Sequence, residues 1–274
     1  MEIGSREKTI LDRIVDARRA SIAHRKRVLP EVALKIAVEK KAPPARDFAA
    51  TLSRDGCNVI AELKKASPSL GVIREEYAPA VLAASLEQAG AVALSVLTEE
   101  DFFSGSLADL REARRVVQIP ILRKDFIVDP WQVWETRAAG ADSFLLIAAV
   151  LGDSAMRELL DLGRSLGMEP LVEVHSREEL DRVVAAEARI IGVNNRDLHN
   201  FKVRLETSLE LIEQVPDDCV AVSESGLRTH EDLVRLRRGG FDAFLIGEHL
   251  MKSADPAEPL RQFLGAEGAG HTAA

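Results

Sequence analysis

The hydrophobic texture of the chain changes at about residue 58. Before that point apolar residues recur at helical spacing, with Ile10, Ile14 and Ala17 in one segment and Leu29, Val32, Leu34, Ile36 and Val38 in a second. Residues 6–41 are therefore expected to be helical. "APPARDF" at 42–48 ends that region, because Pro43 and Pro44 cannot continue a helix. From residue 58 short β-branched runs take over, at 58–63 (NVIAEL), 92–97 (VALSVL), 119–122 (IPIL), 142–147 (DSFLLI), 170–174 (PLVEV), 190–194 (IIGVN), 219–223 (CVAVS) and 242–246 (DAFLI). Amphipathic stretches separate them, including 106–117, 130–139, 153–166, 176–186, 206–214 and 229–238. Several end in glycine just ahead of the next run, as in "QAGAVAL", "AAGADSFLL" and "RGGFDAFLI", and glycine suits the left-handed cap that closes a helix.

Strands alternating with helices predict a parallel sheet. Eight such units closing on themselves make a (β/α)8 barrel, the TIM barrel, whose active site lies at the C-terminal ends of the strands. An open doubly wound sheet is the competing architecture. It usually has fewer strands and carries a glycine fingerprint after the first, where this chain has Lys-Lys-Ala-Ser-Pro. The expected organisation is a helical extension over 1–47, a single barrel over 48–265 and a disordered tail over 266–274.

Composition narrows the setting. The 274 residues are 46% hydrophobic and 29% charged, enough for a large core that needs no disulfide or metal staple. Cys57 and Cys219 form no CxxC pair and point to two thiols in a reducing compartment. The start, "MEIGSREKTILDRIV", lacks the basic region and apolar run of a secretory signal, and "FLLIAAVL" at 144–151 is too short to span a bilayer. A cytoplasmic protein with no membrane association is expected. A net charge of -8 gives no support to nucleic-acid binding, although local cations can still hold an anion.

Strand periodicity decides which polar residues share a face. In "NVIAELKK", Ile60, Glu62 and Lys64 point one way, while Ala61, Leu63 and Lys65 point the other. Ala61 and Leu63 suit packing under helices, so Glu62 and Lys64 are expected in the barrel mouth and Lys65 outside it. A buried carboxylate is costly unless paired, and Lys64 can pair with Glu62. A salt bridge serving only the core is the alternative for that pair alone. Other strands add to it: Lys124 shares a face with Leu122, Glu173 with Leu171, and Glu224 with Val220 and Val222, while "GVNNRDL" brings Asn194, Asn195 and Arg196 to the rim. A barrel needs none of these to fold. Acids and ammoniums crowded into a low-dielectric mouth shift one another's pKa values, which suits acid–base chemistry.

Two glycines suggest an anion site. Gly226 follows the seventh strand and Gly247 the eighth, where it opens a short helix; phosphate between the last two strands is a recurrent barrel device. His175, His199, His230 and His249 show no HxxH-type spacing, so no metal is expected, and Ser223 and Ser225 lie in no GxSxG elbow. Trp131 and Trp134 are expected to pack the barrel exterior.

The stretches "IAELKKASPSLGVIREEYAP", "LSVLTEEDFFSGSLADL", "PILRKDFIVDPWQVWETRAAGADSFLLIAAVL", "LVEVHSREEL", "IIGVNNRDL", "VAVSESGLRT" and "AFLIGEHLM" together resemble the indole-3-glycerol-phosphate synthase family, over about residues 8 to 264. The resemblance implies ring closure, decarboxylation and dehydration of 1-(2-carboxyphenylamino)-1-deoxyribulose 5-phosphate in tryptophan biosynthesis. It gives Lys124 the general-acid role and Glu173 the general-base role, with Glu62 supporting. Lys64 would meet the anthranilate carboxylate and assist departure of the hydroxyl, and Asn194, Glu224 and Ser225 would complete the catalytic rim. Ser67, Gly226, Gly247 and Glu248 (through its backbone) would hold the phosphate. Arg196 and Phe103 would contact substrate, and Phe126 would line the aromatic pocket. The helical extension would cap the mouth and exclude water. No cofactor is implied. A monofunctional monomer is expected, with contacts to other tryptophan-pathway enzymes left open. One departure is Leu70, where many members carry Lys in "SPSKG", so this position gives no support to a substrate contact here. Another phosphosugar barrel, such as a phosphoribosylanthranilate isomerase, and a non-catalytic barrel that binds a phosphorylated metabolite remain the alternatives.

Overall fold

The computed structural model describes residues 8–197 and 202–265; the expected tail at 266–274 and His199 lie outside the described residues. Eight parallel strands follow the apolar runs: β1 (Asn58–Leu63), β2 (Ala93–Leu97), β3 (Ile121–Lys124), β4 (Ser143–Ile147), β5 (Leu171–Val174), β6 (Ile190–Asn194), β7 (Val220–Glu224) and β8 (Ala243–Ile246). Each pairs with its sequence neighbour, and β8 pairs back onto β1 with Asn58 opposite Ala243, closing the barrel. Alternation along the strands separates two apolar layers. Ile60, Leu122, Leu171, Ile190, Val222 and Leu245 fill the interior, while Ala61, Leu63, Val96, Val172 and Val193 pack outward under the helices. Glu62, Lys124, Glu173 and Glu224 stand on the inward face, one step further up their strands.

The extension forms α1 (Ile10–Val28) and α2 (Glu31–Lys41), divided at Pro30. Thr9 and Asp12 make a reciprocal capping box at the start of α1. A short α3 (Phe48–Leu52) buries Phe48 and Leu52 against the interior layer. The barrel helices are α4 (Pro79–Gln88), α5 (Leu107–Val116), α6 (Pro130–Ala139), α7 (Asp153–Ser165), α8 (Arg177–Ala185), α9 (Glu206–Leu211) and α10 (His230–Arg238), followed by α11 (Glu248–Lys252) and α12 (Ala257–Phe263). Trp131 of α6 packs against Ile22 of α1 and Leu34 of α2, and its Nε1 donates to the Leu29 carbonyl at 2.9 Å. Both tryptophans thus sit on the barrel exterior, beneath the extension.

A buried charge cluster ties α1 to the top of the barrel. Arg18 pairs with Asp125, just beyond β3, and also donates to the Thr98 carbonyl beyond β2. Asp125 takes a second guanidinium from Arg123 at 2.8 Å and the Thr98 hydroxyl at 2.5 Å. Burial pushes the Asp125 carboxyl up, but the two arginines outweigh it and hold it at about 2. A carboxylate lowered in the folded state contributes stability above its ordinary value of ~4, and that contribution is lost as pH falls through the folded value. Arg18→Ala is expected to cost about 3 kcal/mol at neutral pH, because it breaks a buried pair. It should also move the onset of acid unfolding upward, as read by thermal melts from pH 7 to pH 4.

Candidate active site

At the mouth the polar strand ends converge. Lys64 Nζ lies 2.6 Å from Glu62 Oε1. Lys124 Nζ reaches two carboxylates at once, Glu173 Oε2 at 2.9 Å and Glu224 Oε2 at 2.6 Å. Only 13% of the Lys124 side chain is exposed, with 3% of Glu173 and 2% of Glu224, so these charges interact through protein rather than water. Burial opposes the Lys124 ammonium, but Glu173, Glu224 and Glu62 outweigh it and raise its pKa well above the ordinary lysine value. Burial likewise raises Glu173, yet Lys124 and His175 hold it far below the usual carboxylate range. Glu224 goes the other way: burial, with Glu173 and Glu62 nearby, outweighs Lys124 and pushes it up to about 7. The two glutamates that share one ammonium are therefore driven apart, Glu173 downward and Glu224 upward.

These groups line a cavity of about 150 Å³ with apolar walls from Ile10, Leu11, Ile14, Leu97, Phe103 and Phe126. Phe103 and Phe126 lie with ring centroids 6.1 Å apart. Glu99 sets the Phe103 loop by accepting the backbone N–H groups of Asp101, Phe102 and Phe103, at 3.1, 2.7 and 3.0 Å. A second cavity, of about 320 Å³, adjoins the first at Glu62, Lys64, Arg196 and Ser225 and carries Gly226 and Gly247 on its wall. A Cβ on Gly247 would stand 2.5 Å from Glu62 Oε1, so only glycine lets the strand-eight loop pass this close to the carboxylate. Arg196 reaches Glu248 at 3.0 Å, and its N–H donates to Asn194 Oδ1 at 3.0 Å. The residues given roles by the family resemblance all face one of these cavities: Ser67, Asn194, Ser225 and Glu248 line the first with the residues already named, and Gly226 and Gly247 line the second.

Some placements differ from expectation or were not anticipated. Asn195 does not present its side chain at the rim. It is buried and donates to Ser223 Oγ at 3.2 Å and to the Glu224 and Ser225 carbonyls at 3.0 and 3.1 Å, locking β6 to β7. Lys65 lines neither cavity. Residues 66–67 and 71–72 form a small antiparallel ribbon, with Leu70 exposed at its tip. Gly192, within β6, has a role that the sequence reading missed: a Cβ there would overlap Glu224 Oε1 and stand 3.2 Å from Leu171. Glycine inside a strand marks such a close approach. Gly192→Ala is expected to push Glu224 off Lys124, lowering turnover roughly 100-fold while folding is retained, as steady-state kinetics and a thermal melt would show. Among the described residues no group of three or more His, Cys, Asp or Glu is placed to hold a metal.

Fold and site together define a class: a (β/α)8 barrel with buried lysine–glutamate pairs at the C-terminal ends of its strands, an arrangement suited to acid–base chemistry. Solved structures support the fold. The chain is similar to a 3-hexulose-6-phosphate synthase at a TM-score of 0.62 and 13% identity, covering 76% of this chain and 99% of that one. It is also similar to the N-acetylmannosamine-6-phosphate 2-epimerase from Clostridium perfringens at 0.58 and 15%, covering 76% and 93%. Sequence is more specific. The profile of the family described as indole-3-glycerol phosphate synthase matches residues 11–263. The chain is 48% identical over 258 residues to the indole-3-glycerol phosphate synthase of Rhodococcus opacus, covering 94% of this chain and 96% of that protein. It is 44% identical over 260 residues to the indole-3-glycerol phosphate synthase of Aromatoleum aromaticum, covering 93% and 99%. The chain belongs to the indole-3-glycerol phosphate synthase family, carboxy-lyases of tryptophan biosynthesis that close a ring with decarboxylation.

Proposed function

We propose that this chain converts 1-(2-carboxyphenylamino)-1-deoxyribulose 5-phosphate to indole-3-glycerol phosphate, with loss of carbon dioxide and water, through the residues gathered at the mouth. The observation that carries this reading is the junction of the two cavities at Glu62, Lys64, Arg196 and Ser225. A ligand with an aryl ring at one end and a phosphate at the other spans that junction, with its reacting carbons beside the lysines.

Lys124 is the general acid, polarising and protonating the ribulose carbonyl as the aryl carbon attacks. Its two carboxylate partners keep it fully charged, which alone would make it a reluctant donor. Glu224, with its value near 7, relieves this: when it carries a proton, Lys124 faces one anion fewer and gives up its own proton more readily. Glu173, held ionised, is the base that takes a proton during dehydration and rearomatisation, with Glu62 sharing the task. Lys64 meets the anthranilate carboxylate and assists departure of the hydroxyl. Asn194 and Ser225 complete the polar rim. The phosphate lies against Ser67, Gly226, Gly247, the Glu248 backbone and Arg196, while Phe103 and Phe126 flank the aryl ring.

The extension at 1–47 acts as the cap on the barrel at 48–265, since Ile10, Leu11 and Ile14 of α1 form part of the cavity wall and Arg18 pins the helix there. Closing the mouth with apolar side chains excludes water and strengthens the charge interactions beneath. Among the described residues no helix is long and apolar enough to cross a membrane. We take the enzyme to act as a cytoplasmic monomer. The test is substrate labelled at the anthranilate carboxyl carbon: label leaves as carbon dioxide in step with indole formation. An isomerase would retain the label, and a sensor barrel would bind substrate without releasing any.

A further inference from the structure

Glu173 has a second partner that these roles leave unused. On the side away from Lys124, His175 Nε2 lies 3.3 Å from Glu173 Oε1, an ion-pair contact too bent to be a full hydrogen bond. The other ring nitrogen, Nδ1, lies 3.3 Å from Glu179 Oε2. Glu179, in the first turn of α8, also accepts the His175 backbone N–H at 2.7 Å and donates its own N–H to Ser176 Oγ at 3.3 Å. The ring therefore stands between two carboxylates, one of them tied to the local backbone.

Both ring nitrogens face carboxylate oxygens. Neutral imidazole has one N–H and one lone pair, so in that form a lone pair would oppose an anion; the imidazolium offers a donor to each side. Burial disfavours the charged ring, but the contacts to Glu173 and Glu179 outweigh it and lift its pKa to about 10. Three of the cations around the ring are engaged elsewhere. Arg182 of α8 is held by Asp153 at 2.7 Å, Lys8 before α1 by Asp16 at 2.6 Å, and Arg204 by Glu210 at 3.0 Å. Asp12 of α1, and Asp197 and Lys202 after β6, line the same cleft, and Lys124 lies beyond Glu173.

We propose that Glu179 and His175 form a positioning pair for the reaction: Glu179 holds His175 as an imidazolium, and His175 in turn holds the Glu173 carboxylate ionised and oriented. This rests on the assignment of Glu173 as the general base. Each of its oxygens then has its own cation, Lys124 on Oε2 and His175 on Oε1. When Lys124 turns to the substrate carbonyl, His175 keeps the carboxylate from drifting or taking up a proton early.

The test compares wild type with His175→Gln, which keeps an N–H near Nε2 without the charge, and with Glu179→Gln. In the pH profile of kcat/KM, the acid limb of His175→Gln is expected to rise by about 1–3 units, the effect of losing an opposite charge at this distance. Glu179→Gln should add a new limb in the neutral range, as the imidazolium loses its anchor. In nitrogen-15 NMR spectra, the His175 ring, identified by difference from His175→Gln, should be doubly protonated at pH 8 in wild type and should titrate near neutrality in Glu179→Gln. Thermal melts identify any variant whose change is only loss of fold, and the NMR titration of wild type stands without them. An unmoved acid limb in His175→Gln, or a neutral His175 ring at pH 8 in wild type, overturns the pair while Glu173→Gln remains inactive. Full activity in Glu173→Gln overturns the base assignment and the pair with it.

Discussion

Lys124→Ala is expected to lower kcat by about 10³-fold or more while substrate still binds. General acid catalysis alone contributes about 10²–10⁴-fold, and the phosphate cavity and the Phe103 and Phe126 walls keep their own residues. The physical effect extends past the missing proton. Lys124 is the cation shared by two buried glutamates, and its removal leaves them facing each other. One must take up a proton, and Glu224, already near 7, is the one placed to do so. A carboxyl whose folded value lies above its unfolded one stabilises the protein below the unfolded value, and that stability is lost as pH rises through the folded value. The variant should therefore melt at a higher temperature at pH 6 than at pH 8, a difference larger than in wild type and readable by circular dichroism. Lys65→Ala is the companion control. Lys65 lines neither cavity, and its replacement should change turnover by less than about threefold.

Glu173→Gln is the second large effect. The amide keeps the shape of the side chain and an oxygen for Lys124 but cannot accept the proton, so kcat should fall about 10²–10⁴-fold with KM little changed. A rise in KM at constant kcat would instead make Glu173 a binding residue. The stability signature has the opposite sign to that of Glu224. Glu173 is held below the usual carboxylate range, so it stabilises the fold above an ordinary value of ~4 and that contribution fades on acidification. The glutamine variant should therefore lose stability at pH 7 and show a shallower decline toward acid than wild type.

The inward positions of Glu62, Lys124, Glu173 and Glu224 were legible in the sequence because a strand repeats every two residues. Apolar neighbours such as Ala61 and Leu63 settle which face is outer, and the polar partners must then be inner. Arg18 was readable in principle as well. Ile14, Arg18 and Ile22 recur every four residues, and all three are buried on the same face of α1. A charge placed on an apolar helical stripe signals a buried partner, though the sequence does not say that the partner is Asp125. Other features depend on register across strands. Gly192 matters because β6 pairs with β7 so that Gly192 lies opposite Val222, two residues before Glu224, and no local pattern encodes that pairing. Asn195 is buried on the α9 side of the barrel wall for a related reason: β6 ends at Asn194, and the next side chain is captured by Ser223 and the carbonyls that close β7. The ribbon at 66–67 and 71–72 is too short for any periodicity to announce it.

The most direct test of Lys124 as the acid of a synthase mixes purified protein with the carboxyphenylamino-deoxyribulose phosphate and follows indole fluorescence, with Lys124→Ala alongside and binding measured for both. The account predicts rising fluorescence in wild type and none in the variant, with saturable binding in each. Equal rates in the two proteins, or saturable binding with a flat trace in wild type, would contradict it.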